Sequence, residues 1–158
     1  MSAAAIVCVL AFGVLAAASV PLTVIDVREH RLPNAIVLPL YPVALAAAGA
    51  VALFLGDAAV LLRAVACGLA LFAVFALLRS VGGGMGGGDV KLAGVLGIFL
   101  GILGWAPAIA GAALAFVLGG VWSLFLLMSR RVDRTTRIAF GPFMIAAAWT
   151  SVGIVVLG

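Results

Sequence analysis

Long uninterrupted apolar runs constrain this chain more than any other feature. Six can be drawn, over residues 3–25, 35–55, 58–78, 90–104, 108–128 and 140–157. In lipid no water is available to backbone N–H and C=O groups, so a spanning segment must be a helix or part of a closed barrel. Barrel strands alternate apolar and polar residues. These runs do not alternate, so they predict helices. Charged residues make up 9% of the chain, against about a quarter in a soluble domain. The expected fold is therefore an all-α polytopic membrane protein of six transmembrane helices, forming one domain over residues 1–158, with no soluble domain and no internal repeat.

Details of the runs refine this. No basic residue precedes the first run, as the n-region of a cleaved secretory signal requires, so residues 3–25 are expected to be a retained span. Pro39 and Pro42 predict a delayed or bent start to the second run. Arg63 lies about one turn into the third and can snorkel to the interface. The fourth run is short against the roughly 20 residues of a typical span. Trp105-Ala106-Pro107 suggests a tight turn before the fifth. Gly94, Gly97, Gly101 and Gly104 have the small-residue spacing of close helix contact.

The net charge of +4 comes from residues clustered between runs. No basic face or aromatic-interleaved patch accompanies it, so nucleic-acid binding is not implied. Arg28 and Arg31 follow the first run, Arg79 and Lys91 flank the third link, and Arg130, Arg131, Arg134 and Arg137 lie between the fifth and sixth runs. The two other links are nearly free of Lys and Arg. The positive-inside rule puts the basic links in the cytoplasm and both termini outside it. It also requires the short fourth run to cross, since otherwise the four-arginine loop would face outward. Cys8 and Cys67 lie within apolar runs and read as small buried hydrophobes. The sequence has no Cys-x-x-Cys pair, so neither structural zinc nor a disulfide framework is expected.

The chemistry concentrates at Gly82-Gly83-Gly84-Met85-Gly86-Gly87-Gly88-Asp89-Val90-Lys91-Leu92. An ionisable residue beside so much apolar sequence is a functional candidate, and glycines without Cβ allow another backbone to come close. The bland alternative is a flexible hinge with Asp89 as a helix N-cap. Of the other acidic residues, Asp57 falls on the outer side, Asp133 sits among arginines, and Glu29 lies in a polar link. Asp26 ends the first run on the same side as Asp89. Two neighbouring carboxylates cannot both ionise easily and so share a proton. The ionised one can take a proton from water while the protonated one polarises a peptide carbonyl, which is aspartic peptide hydrolysis by general acid–base catalysis. Asp26 and His30, four apart, could instead be metal ligands, but the zinc ligand set is incomplete. A proton- or cation-coupled carrier could use the same aspartates, yet the spans are nearly free of other polar residues. A catalytically silent assembly partner is the third reading.

Three motifs resemble those of the type IV prepilin peptidases, and in the same order. Gly86-Gly87-Gly88-Asp89 fits Gly-x-Gly-Asp, extended here by Val90-Lys91-Leu92. Asp26 is followed seven positions later by Pro33-Asn34, like that family's first aspartate motif. Ala139-Phe140-Gly141-Pro142-Phe143 is similar to its Pro-Phe-Gly-Pro-Phe, with alanine first. The resemblance covers essentially the whole chain. It implies Asp26 and Asp89 as catalytic residues, with Gly86, Gly88 and Lys91 on the substrate-binding side. It also implies a multi-pass inner-membrane enzyme that removes the basic leader of prepilins or pseudopilins at the cytoplasmic face. Lys91 would tune charge near Asp89 or hold the helix start. Many family members also carry an N-terminal domain with paired Cys-x-x-Cys motifs that accompanies methyl transfer. That domain has no counterpart here, so the expectation is peptidase activity alone, without metal or cofactor, as in the short form associated with tight-adherence (Flp-type) pili.

Overall fold

The computed structural model describes residues 2–82, 85–128 and 139–158. Gly83, Gly84 and the four-arginine link, including Asp133, lie outside the described residues. Six helices follow one another: α1 Ala3–Glu29, α2 Asn34–Leu55, α3 Ala59–Gly82, α4 Gly87–Leu103, α5 Trp105–Met128 and α6 Gly141–Leu157. There is no strand among the described residues. By length and composition α1, α2, α3 and α5 could each cross a membrane. α4 and α6 have 17 residues each, which at about 1.5 Å per residue gives roughly 26 Å.

α4 is the axis of the bundle. From Asp89 to Ile102 every residue except Lys91 is buried, because α2, α3, α5 and α6 all pack on it. Its glycines make this possible. A Cβ at Gly97 would lie 2.7 Å from the Cys67 carbonyl oxygen, and one at Gly101 would lie 2.7 Å from Cα of Ala64. The α3 and α4 backbones therefore touch directly, the close approach that drives helix association where water is absent. Cys67 is buried there and Cys8 partly so. α1 completes the bundle against α2 and α6, and the outward faces carry exposed leucines, valines and phenylalanines.

Several expectations need correction. α2 starts directly at Asn34, with Pro39 and Pro42 inside it, so its start is not delayed. Internal prolines are tolerated in apolar helices whose neighbours re-satisfy the freed groups. α5 begins at Trp105 itself, and the break is confined to Gly104, whose φ of 152° favours glycine. Arg63 does more than reach toward an interface. Its Nε donates to the Gly101 carbonyl at 2.8 Å and its Nη2 to that of Ile102 at 3.1 Å. It thereby satisfies carbonyls that the end of α4 would leave unpaired. This contact, between the start of α3 and the end of α4, shows the two helices antiparallel.

Candidate active site

Asp26 reaches the bundle interior because of helical periodicity. Leu15, Ser19, Leu22 and Asp26 fall on one face of α1, and all are buried. Asp26 is 4% exposed. The helix continues one turn past it and stops at His30, whose φ of 51° is left-handed and whose N–H donates to the Asp26 carbonyl at 2.9 Å. Glu29 and Arg31 pair at the exposed surface. Leu32 then turns back into the core, and Pro33 precedes α2.

Asp89 is the third residue of α4 and not its N-cap, a position that Gly86 takes. Its Oδ2 accepts the Gly86 N–H at 3.0 Å. This is the carboxylate half of a capping box, and Gly86, lacking a side chain, cannot supply the other half. Asp89 is 7% exposed. Capping and chemistry are thus compatible at this residue, since the hydrogen bond engages Oδ2.

The two aspartates meet around Leu32. A Cβ at Gly88 would lie 2.7 Å from Leu32 Cβ and 3.2 Å from Leu32 N. A Cβ at Gly141 would lie 3.3 Å from Leu32 Cδ2 and 2.7 Å from Asp26 Oδ2. The Gly141 N–H donates to that same Oδ2 at 2.9 Å. Asp89, next to Gly88, and Asp26, against Gly141, thus lie around one leucine side chain. Two carboxylates drawn from helix ends far apart in sequence therefore share one buried cluster.

The remaining expected residues fall around this cluster. The close approach that glycine permits at Gly88 is made by Leu32 of the same chain. Lys91 Nζ donates to Asn34 Oδ1 at 2.9 Å, and the Tyr41 hydroxyl donates to the Lys91 carbonyl at 2.8 Å. Both contacts fasten the start of α4 to α2. Arg79, in the last turn of α3, lies against Gly87. His30 is exposed. No group of three potential metal ligands occurs among the described residues. Sequence reasoning marked Gly141 only as part of a motif and missed its contact with Asp26. The available signal was Gly141-Pro142 opening an apolar run, since proline favours the first helical turn, where unpaired N–H groups point outward.

Residues 4–124 match the type IV leader peptidase family. A prepilin leader peptidase/N-methyltransferase of Xanthomonas campestris pv. campestris is 35% identical over 140 residues, covering 86% of this chain and 47% of that protein. The Pseudomonas aeruginosa protein of the same name is 34% identical, covering 89% of this chain and 46% of its own length. That of Aeromonas salmonicida is 33% identical, covering 82% and 44%. The chain thus spans about half the length of these curated relatives. No solved structure matches it. A family match over residues 4–124, together with relatives at least 33% identical over more than four fifths of the chain, leads to one assignment: this multi-pass chain, all-helical among its described residues, belongs to the type IV leader peptidase family.

Proposed function

We propose that the chain is a membrane-embedded aspartic endopeptidase that removes the basic leader of prepilins or pseudopilins, with Asp26 and Asp89 as its catalytic pair. The observation that carries this reading is the convergence of two buried carboxylates at one end of the bundle. Close like charges disfavour double ionisation, so the working state holds one proton between them. The ionised aspartate takes a proton from water, whose oxygen attacks the scissile carbonyl carbon. The protonated aspartate gives its proton to the carbonyl oxygen. Collapse of the tetrahedral intermediate then breaks the C–N bond: the leaving amine takes up the proton that came from water, and the re-forming carbonyl returns the other proton to the aspartate that gave it. Such general acid–base work contributes on the order of 100- to 10,000-fold in rate.

The six helices are six spans of one domain in this reading, with both termini outside the cytoplasm and the aspartates at the cytoplasmic end. Alternating helix direction supports it, as does the position of Arg28, Arg31, Arg79 and Lys91 at the aspartate end. The relatives' names include N-methyltransferase; leader hydrolysis alone is assigned here, without metal or cofactor. A carrier reading is less well supported. The buried polar side chains among the described residues are Ser19, Asp26, Asp89 and Ser151. Ser19 is occupied by the Leu15 carbonyl and the Trp149 indole N–H.

The test is cleavage of a prepilin from the same genome. The chain is co-expressed with the tagged prepilin, and leader loss is read by mass spectrometry. The reading expects a shortened product with the native chain. Intact prepilin with every candidate substrate would move the assignment to a silent partner or a carrier.

A further inference from the structure

We propose that Gly141 is a positioning residue for Asp26, fixing the carboxylate through its backbone N–H and through its missing side chain. This rests on the assignment of Asp26 to catalysis and adds the device that orients it. α6 begins at Gly141, with Phe140 as its N-cap and Pro142 in its first turn. First-turn N–H groups have no partner within their own helix, and a negative charge is favoured there. Gly141 directs its N–H to Asp26 Oδ2 at 2.9 Å, in a bond buried between residues 115 positions apart. A Cβ at the same residue would lie 2.7 Å from Oδ2 and 3.3 Å from the carboxyl carbon. Any larger side chain therefore forces the carboxylate away from the amide that holds it.

The donor is itself held in place. The Phe140 ring packs 5.6 Å from that of Phe116 on α5 and 6.2 Å from that of Phe75 on α3. It occupies a notch where Gly119 has no side chain. Pro142 fixes its own φ on the other side of Gly141. Three helices thus set the direction of a single N–H. Asp89 is treated in the same way, since its Oδ2 accepts the Gly86 N–H at the start of α4. Each aspartate is oriented by a glycine amide at a helix start, and in each case the engaged oxygen is Oδ2.

The experiment has two arms, both on the full chain in lipid nanodiscs. In the first, prepilin cleavage is followed for the native chain, Gly141→Ala, Asp26→Asn, Asp89→Asn and the control Gly153→Ala, at a residue with open space around it. Misplacing a catalytic group by about 1 Å can cost on the order of 100-fold. Gly141→Ala is expected to lose that much in kcat with KM nearly unchanged, while Gly153→Ala keeps native values. A loss confined to KM, or native kcat in Gly141→Ala, overturns the positioning role. Failure of the underlying assignment looks different: cleavage would survive Asp26→Asn or Asp89→Asn, or the native chain would not cleave.

The second arm does not depend on Gly141→Ala folding. Phe140–Gly141 and Phe12–Gly13 are the Phe–Gly pairs of the sequence. Labelling Phe carbonyls with carbon-13 and Gly amides with nitrogen-15 therefore isolates two amide resonances. Asp26→Ala should move the Gly141 amide proton upfield, by removal of its acceptor, and leave Gly13 in place. An unmoved Gly141 resonance would contradict the hydrogen bond and with it the proposal.

Discussion

Replacing the Gly88 hydrogen by a methyl group perturbs the site at a defined point. Non-bonded carbons pack at about 3.5–4.0 Å. The new Cβ of Gly88→Ala would lie 2.7 Å from Leu32 Cβ, 3.2 Å from its N and 3.4 Å from its Cα, a shortfall of about 1 Å against ordinary packing. These atoms belong to or adjoin the backbone, so no side-chain rotation relieves the overlap. The start of α4 and the 30–33 link must separate. Asp89, the next residue, moves with α4, while Leu32 also packs toward Gly141 and Asp26. Overpacking of this kind costs about 1–3 kcal/mol in stability, which leaves the apolar runs able to insert. A displacement near 1 Å at the acid–base pair lowers activity on the order of 100-fold. Leu32→Ala retains the nearest Cβ and should not rescue Gly88→Ala. The assay is leader cleavage in membranes, with insertion confirmed by fractionation and Gly120→Ala, where a Cβ meets open space, as control. Native cleavage by inserted Gly88→Ala would refute the argument that Gly88–Leu32 contact sets the aspartate geometry.

Further consequences can be measured independently. Ser151 Oγ is buried without a hydrogen-bond partner among the described residues, a state that costs about 1–3 kcal/mol, so Ser151→Ala should raise the thermal unfolding midpoint; a lowered midpoint would contradict this. Arg63→Ala strands two α4 carbonyls and should lower stability by about 1–3 kcal/mol, read by thermal unfolding in nanodiscs, with no change expected at the distant aspartates. Lys91→Ala and Asn34→Ala should slow cleavage by similar factors, and the double variant should be no slower than either alone, because the two side chains share one contact. Additive losses, or an unchanged rate in Lys91→Ala, would remove this pair from the support of α4.

The fold was legible because lipid leaves a chain few choices. The six apolar runs became six helices, and the Gly94, Gly97 and Gly101 spacing marked the face on which α3 lies. Boundaries were harder to read. Composition changes at Asp26, but the backbone stays helical until His30, since helical hydrogen bonding does not stop at the first polar residue. Pro39 and Pro42 suggested a disturbance that tertiary packing absorbs. The site was legible in part. Asp26 and Asp89 stood out as charges at the ends of apolar runs, whereas the partners that hold them are backbone amides of Gly86 and Gly141, and a sequence carries little trace of where an N–H points. Leu32 was legible only as the residue before Pro33-Asn34 in the first aspartate motif; its place between Gly88 and Gly141 is set by the fold.

The central claim, that Asp26 and Asp89 act as one acid–base pair, is tested most directly by single-turnover cleavage of a prepilin by the native chain, Asp26→Asn and Asp89→Asn in nanodiscs. Asparagine preserves shape and can still accept the Gly141 or Gly86 N–H, but it cannot carry the transferred proton. The account predicts cleavage by the native chain and a loss of at least about 100-fold in each variant. Cleavage at a near-native rate by either correctly inserted variant would contradict it.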